Sequence, residues 1–273
     1  MTTGRGVASP EHVAEQYTTS QRFDARVRLW ERFSTNPTPL LRWIFDGLAL
    51  PTEGRALDIG AGTGNLWREN LEQLPDDLEI VLADQSPGML AEARERLGQS
   101  GGRFAFEQAD VQDMPFEDER FDVVVANHML YHVPDRERAL DELRRVLARD
   151  GRLYIVTNAW NHLAELREWC ERFDVPTELR GPGRRPEFFD EEEAARSIGS
   201  RLPELRVRRY TNTLAVTELD PLVDYVLSMC PGDASEHPGV QAFAEFAGQQ
   251  ISLAGALHIS GVVASFEAQK TGA

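Results

Sequence analysis

"ALDIGAGTGNLW", residues 56–67, is an apolar run that reaches an acid at Asp58 and continues into glycines at positions 60, 62 and 64. Glycine permits positive φ and lets a ligand approach the main chain without meeting a Cβ. A strand followed by a glycine loop and a helix is typical of an open α/β sheet, which binds ligands at the carboxyl ends of its strands. The stretch therefore predicts a small-molecule site at the tip of a first strand.

Short β-rich runs alternate with amphipathic segments along the chain. They predict strands at 55–60, 78–84, 103–110, 121–127, 151–157, 204–212 and 261–270, the last near the sheet edge. Residues 135–151 have helical spacing with Gly151 just past the end, whereas 105–121 carry no helical period. This alternation indicates an α/β, doubly wound, Rossmann-like fold with a mostly parallel sheet.

The segments around these strands divide the chain further. Residues 1–50 are predicted to form an N-terminal helical lid, and 161–200 a substrate-side cap insertion. The cofactor-binding core then comprises 51–160 and 201–273, with a helical cap insertion at about 218–258.

Composition excludes several classes of partner. The net charge of −16 argues against a nucleic-acid partner, because such binding draws on Lys and Arg. No run reaches the roughly 18 to 20 apolar residues of a membrane span, and the N-terminal stretch lacks an apolar signal segment, so we expect a cytoplasmic protein without a membrane partner. Cys170 and Cys230 match no metal-ligand spacing, and no metal is predicted.

The loop spacing separates three classes of ligand. A dinucleotide loop has the spacing G-x-G-x-x-G, and a phosphate loop requires a lysine that this stretch lacks. Here the pattern is G-x-G-x-G with Asp58 two residues ahead of it. A carboxylate repels phosphate and suits a ligand with a cationic amino group. This charge logic favours S-adenosylmethionine over NAD.

Later acids agree with that ligand. Asp84 closes the second strand, where a carboxylate can accept both ribose hydroxyls, and Met89 is placed to cover an adenine face. Asp110 closes the third strand and can accept from the adenine amino group, with the Val111 backbone beside it. The alternative is that Asp84 and Asp110 only cap helices or turns.

With these motifs the chain resembles class I S-adenosylmethionine-dependent methyltransferases of the small-molecule, natural-product type. The resemblance covers roughly residues 15 to 160 and rests on "ALDIGAGTGNLW", "VLADQSPGML" and residues 108–158. It implies a seven-stranded sheet with an antiparallel last strand, S-adenosylmethionine as cofactor and S-adenosylhomocysteine as product. The cofactor contacts so predicted are Tyr17, Asp58, Gly60, Ala61, Gly62, Asp84, Gln85, Met89, Asp110, Val111 and Asn127.

The candidate catalytic residues follow the fourth and fifth strands. His128 and His132 share a helical face, but no Glu completes a zinc site, and the resemblance places His128 near the donor sulfur. His162 is a second candidate base, and Tyr131 is predicted to bound the substrate. The alternative is that these rings only shape the pocket wall.

The resemblance implies methyl transfer to O, N or C of a small organic metabolite in specialised metabolism. Cyclisation or rearrangement without net methyl transfer is the alternative. A lid over the donor is predicted from Tyr17, Phe23 and Phe33. The oligomeric state stays open, with a homodimer as one alternative.

Overall fold

The computed structural model describes residues 20–98, 100, 102–177, 179, 189 and 191–271. The strands are β1 (Glu53–Ile59), β2 (Asp77–Asp84), β3 (Phe104–Gln108), β4 (Phe121–Asn127), β5 (Leu147–Asn158), β6 (Glu204–Val216) and β7 (Leu257–Gln269). The helices are α1 (Ser20–Phe33), α2 (Leu40–Phe45), α3 (Asn65–Arg68), α4 (Pro87–Leu97), α5 (Arg136–Val146), α6 (Ala164–Arg172), α7 (Glu191–Gly199), α8 (Leu219–Ser228) and α9 (Pro238–Ala254). None of the helices within these ranges has the length and apolar character needed to cross a membrane.

The seven strands form one sheet in the order β3-β2-β1-β4-β5-β7-β6. β1 to β5 are parallel, whereas β7 runs antiparallel to both β5 and β6. The predicted fold class and the antiparallel last strand are therefore confirmed. The strand order reverses between β1 and β4, so a crevice opens at the carboxyl ends of these two strands.

One predicted helix is wrong in its last turn. The helix that the spacing predicted over 135–151 ends at Val146, and β5 begins at Leu147. The intervening backbone finds strand partners, since Leu147 is in register with Phe121 and the Asp150 N–H donates to the Lys270 carbonyl at 2.8 Å. The helix stops because these long-range pairings satisfy the backbone groups that another helical turn would have used. The connection from β3 to β4 contains no helix, as its sequence predicted.

The parallel strands β1, β2, β4 and β5 are buried on both faces. Leu57 of β1 packs on the side of α5 and α7, whereas its neighbour Ala56 packs on the side of α2, α3 and α4. Successive side chains of a strand point to opposite faces, so a strand covered on both sides reads as a continuous apolar run. This explains why the central strands were readable from sequence.

A third apolar cluster joins both ends of the chain. It contains Leu29 of α1, Leu166 of α6, Leu222 of α8 and Phe243 of α9. We call these four helices the cap. The cap is therefore a single body, whereas the sequence predicted a separate lid and two separate insertions.

Polar contacts hold α1 onto the rest of the cap. Arg22 donates to the Cys230 and Gly232 carbonyls, and Arg26 donates to Ser228. Among the described residues of 161–200, α6 joins the cap, whereas α7 packs beside α5 on the sheet.

Alanine at Gly64 is expected to destabilise the protein more than alanine at Gly102. Both glycines have left-handed backbone, with φ of +75° and +76°. A Cβ at Gly64 would lie 2.6 Å from Leu97 Cδ1, whereas a Cβ at Gly102 would meet nothing within 4 Å. We expect the conformation to cost about 1–2 kcal/mol in each variant. Overpacking adds about 1–3 kcal/mol in Gly64→Ala alone. Urea unfolding measures both, and equal losses would contradict the packing role of Gly64.

Candidate functional site

The glycine loop after β1 folds over the end of β2. The N–H groups of Gly60 and Ala61 both donate to the Ala83 carbonyl, at 2.8 and 3.1 Å. A Cβ at Gly60 would lie 2.7 Å from Met129 Cβ, so packing within the protein requires a glycine there. At Gly62, with φ of +55°, a Cβ would meet nothing within 4 Å. Gly62 therefore borders open space in which a ligand can contact the main chain.

The Asp84 carboxylate ties this loop to the adjacent strand. Its Oδ2 accepts from the Gly62 N–H at 2.9 Å, and its Oδ1 accepts from the Ser86 N–H at 2.8 Å. Burial raises the pKa of Asp84, while these backbone N–H groups lower it. Each carboxylate oxygen can accept more than one hydrogen bond. Asp84 thus caps a turn through these two hydrogen bonds. Its carboxylate oxygens can still accept hydrogen bonds from two hydroxyls.

Asp58 is a buried carboxyl with one oxygen unsatisfied. Its Oδ2 accepts from Trp67 Nε1 at 2.8 Å, whereas Oδ1 has no hydrogen-bond partner among the described residues. Burial raises the pKa of Asp58 to about 7; the Trp67 bond lowers it and the Asp84 charge raises it further. An unpaired buried acceptor is costly. A cationic donor beside Oδ1 would remove that cost.

A second unsatisfied acceptor lies on the neighbouring strand. Asn127 ends β4, and its buried Oδ1 has no partner within the described part of the chain. Because β1 and β4 are adjacent and parallel, Asn127 and Asp58 both lie on the crevice side of the sheet. The two orphaned oxygens and the space beside Gly62 suit a ligand that brings hydrogen-bond donors and positive charge.

The acid after β3 is engaged locally. Asp110 accepts from the backbone N–H of Gln112 at 2.9 Å and from its side-chain amide at 3.1 and 3.2 Å. Met89 and Val111 are buried, whereas Gln85 is exposed. Asp110 therefore caps a turn through its hydrogen bonds to Gln112. The roles of these four residues toward the cofactor stay predictions.

His128 follows β4 in a left-handed conformation. Its φ is +54°, and its N–H donates to the Val156 carbonyl of β5 at 3.0 Å. Burial lowers the pKa of His128 to about 4, and the charge of His132 lowers it further. The His128 ring centroid lies 6.4 Å from that of Tyr131. The imidazole of His128 is thus neutral at neutral pH and borders the predicted substrate-bounding ring.

His162 is held in one orientation by the cap and by β7. Its ring stacks on Trp30 of α1, with centroids 5.4 Å apart and planes inclined by 15°. Its Nδ1 lies 3.1 Å from the Val262 carbonyl, which can only accept, so Nδ1 carries the proton and Nε2 is left as an acceptor. Burial lowers the pKa of His162 to about 3, and the charge of His128 lowers it further. The two candidate bases therefore lie within electrostatic reach of each other.

Trp30 and Gly261 are site residues that sequence reasoning missed. A Cβ at Gly261 would lie 2.4 Å from Trp30 Cη2, so this glycine makes the seat for the indole that stacks on His162. No local sequence pattern predicted the contact between Trp30 and Gly261, because the two residues lie far apart in the sequence.

Of the three predicted lid residues, only Phe33 has a side chain among the described residues. Tyr17 and the side chain of Phe23 lie outside the described residues, and Phe33 is buried within the cap cluster. Within the described ranges, no three His, Cys, Asp or Glu side chains are placed to hold a metal ion.

Comparison with known proteins finds matches to the central part of the chain. Residues 57–155 match a family described as a methyltransferase domain. The ubiquinone/menaquinone biosynthesis C-methyltransferases UbiE of Idiomarina loihiensis and Ectopseudomonas mendocina are 33% and 38% identical over 131 residues. That match covers 47% of this chain and 48% and 47% of the two relatives. The chain thus spans about half the length of these relatives.

Solved structures match over more of the chain. The [4+2]-cyclase SpnF has a TM-score of 0.61 at 17% identity, covering 98% of this chain and 100% of its own. Haemonchus contortus phosphoethanolamine N-methyltransferase 2, in complex with S-adenosyl-L-methionine, has a TM-score of 0.59 at 17% identity, covering 96% of this chain and 60% of its own. At these identities the likeness shows the fold alone.

Replacement of Asp58 by Asn is expected to flatten the pH dependence of stability. The pKa of Asp58 is about 7 in the folded protein, above its usual value of 3.8. The carboxyl therefore stabilises the fold fully below about pH 4, and this contribution is lost as the pH rises through 7. Between pH 6 and 8 the loss is about 1 kcal/mol.

Urea unfolding at pH 6 and pH 8 measures this difference in wild type and Asp58→Asn. The matched control is Asp76→Asn, since the Asp76 side chain is 97% exposed. We expect the control to keep the wild-type pH dependence. The same pH dependence in Asp58→Asn as in wild type would refute the assignment.

Proposed function

We propose that this chain, whose residues 57–155 are a methyltransferase domain of the class I fold, transfers a methyl group from S-adenosylmethionine to O, N or C of a small organic metabolite. The observation that carries the proposal is the buried Asp58 carboxyl with one oxygen unsatisfied, on the strand that leads into the loop where Gly62 borders open space. The proposed acceptor is a specialised metabolite.

The residues present fit this cofactor. S-adenosylmethionine has an ammonium group, a sulfonium, two ribose hydroxyls and no phosphate. Asp58 would hold the ammonium, and Asp84, already fixed by two backbone N–H groups, would accept the hydroxyls. Met89, Asp110 and Val111 would contact the adenine. When bound, the cofactor would supply a methyl group that is already activated for displacement.

Because the donor is activated, the protein mainly aligns the reactants and excludes water. The cap supplies a cover in which Trp30 packs on β7 and on His162. A base is needed only if the acceptor still holds its proton at neutral pH. Neutral His162 with Nε2 available, and neutral His128, can receive such a proton.

A second function keeps the fold and the cofactor but not the reaction. The observation that favours it is the likeness to the [4+2]-cyclase SpnF over nearly the whole of both chains. Product analysis separates the two functions. A methyltransferase product is heavier by one methylene and appears together with S-adenosylhomocysteine, whereas a cyclase product has the mass of its substrate.

Alanine at Gly62 is expected to weaken S-adenosylhomocysteine binding by at least about tenfold, because its Cβ would enter the space assigned to the cofactor. Gly102→Ala is the matched control, since it also has positive φ and open space. Calorimetry measures both affinities, with urea unfolding as a check that the two variants are comparably stable. Wild-type protein that bound a pyridine dinucleotide and not S-adenosylhomocysteine would overturn the proposed function.

Replacement of His162 by Gln is expected to lower kcat by about 100-fold or more for an acceptor that must lose a proton, at unchanged cofactor affinity. Because the pKa values of His162 and His128 are about 3 and 4, we expect the wild-type kcat not to fall from pH 8 to pH 6 through protonation of either ring. The control is His258→Gln, since His258 is exposed. Equal losses of kcat and cofactor affinity in His162→Gln would mark this ring as pocket wall.

A further inference from the structure

The Trp67 indole contacts Asp58 from the helix that follows the glycine loop. Trp67 lies in α3 and is fully buried, and its Nε1 donates to Asp58 Oδ2 at 2.8 Å. A buried indole N–H needs an acceptor, and a neutral carbonyl would serve. Here the acceptor is a carboxyl, whose other oxygen, Oδ1, has no hydrogen-bond partner among the described residues. A purely structural contact accounts for one oxygen of Asp58 and leaves the other unexplained.

Asp58 lies on the face of the sheet that leads to the site. It is in register with Leu82 of β2 and Val125 of β4, each two residues before the end of its strand. Because alternate residues of a strand share a face, Asp58 lies on the same face as Asp84 and Asn127, which end these strands. This polar end of the face is at the carboxyl ends of the strands, where an open sheet binds its ligands.

Two acids hold the segment that runs from the glycine loop into α3. The Gly62 N–H donates to Asp84 Oδ2 at 2.9 Å, and further along the segment the Trp67 indole donates to Asp58 Oδ2. Burial raises the pKa of Asp58 to about 7, and the Trp67 bond opposes that rise because it stabilises the carboxylate. The indole therefore affects both the orientation and the charge of Asp58.

We propose that Trp67 is a positioning residue for the cofactor: its indole N–H occupies Asp58 Oδ2 and so leaves Oδ1 to accept from the ammonium group of S-adenosylmethionine. The inference rests on the cofactor of the proposed function and adds the residue that orients its acidic contact. The terminal torsion of an aspartate has broad minima, so a carboxylate without this bond could turn away from the ligand. A charge-assisted hydrogen bond to the ammonium depends on the placement of its acceptor.

The test uses two ligands that differ in one group. S-adenosylhomocysteine carries the ammonium, whereas deamino-S-adenosylhomocysteine has a hydrogen atom in its place. Calorimetry with the full chain, at a pH above the pKa of Asp58, measures both affinities. We expect wild type to bind S-adenosylhomocysteine at least about tenfold more tightly than the deamino ligand, and Trp67→Phe to lose most of this preference. A merely structural role of Trp67 would weaken the binding of both ligands by the same factor.

Two further variants assign the effect to the contact with Asp58. Trp43→Phe is the matched control, since Trp43 packs on the same apolar cluster as Trp67 and its ring lies beside Tyr210, with centroids 5.4 Å apart. We expect this control to keep the wild-type preference. Asp58→Asn is expected to lose the preference. Adding Trp67→Phe to Asp58→Asn is expected to leave the ratio of the two affinities unchanged, because Trp67 acts through Asp58.

Urea unfolding shows whether each variant is folded. If Trp67→Phe does not fold, benzothienylalanine replaces the tryptophan at position 67. This amino acid keeps the bicyclic shape of tryptophan and has a sulfur atom in place of the N–H, so it removes the donor without opening a cavity. We expect it to lose the preference for the ammonium ligand in the same way.

Equal affinities of wild type for the two ligands, or a full preference in the variant that lacks the N–H, would overturn the inference. Wild type that bound neither ligand would overturn the inference and the proposed function together. Failure of the proposed function alone has a different signature. The preference and its loss would then appear as expected, while product analysis showed no methyl transfer.

Discussion

The hydrogen bond from the Gly62 N–H to the Asp84 carboxylate is the contact on which the site is built. It joins the loop after β1 to the last residue of β2, two strands that the backbone ladder already holds in parallel. The positive φ of the loop glycines, the closure onto the Ala83 carbonyl and the open space at Gly62 all follow from this fixed loop path. A side chain of another length at position 84 would leave the loop without this anchor.

Burial shifts the pKa values of the ionisable groups in the site. Asp58 is a carboxyl that holds its proton up to about pH 7, and His128 and His162 are imidazoles that stay neutral. Each departs from its behaviour in water because solvent is excluded there.

The central sheet and the positions of Asp58 and Asp84 at the ends of β1 and β2 were predictable, because their signals are local. Strands covered on both faces are continuous apolar runs, and Asp58 and Asp84 sit at the ends of such runs, where a parallel sheet gathers its ligands. The start of β5 was not predictable. Residues 147–151 continue a helical spacing, and only pairing with β4 and β7 makes them a strand.

The cap and the orientation of His162 escaped prediction for a related reason. The helical periodicity of α1 shows that one face is buried, but it does not show what covers that face. The partners of α1 are α8 and the region of Gly261. The Trp30 indole packs against Gly261 because this residue has no Cβ, and the sequence does not show that contact.

The packing of α1 against α8 and α9, which come much later in the sequence, has a consequence for folding during biosynthesis. The contact between Arg22 and the Cys230 carbonyl spans 208 residues, whereas the strands β1 to β5 are complete by Asn158. On a ribosome, the parallel half of the sheet can assemble while α1 still waits for α8 to be translated. Closing so long a loop is entropically unfavourable, so we expect docking of the N-terminal helix to be the late step of maturation. Until then Leu29 and Trp30 lack the cap residues that cover them in the folded protein.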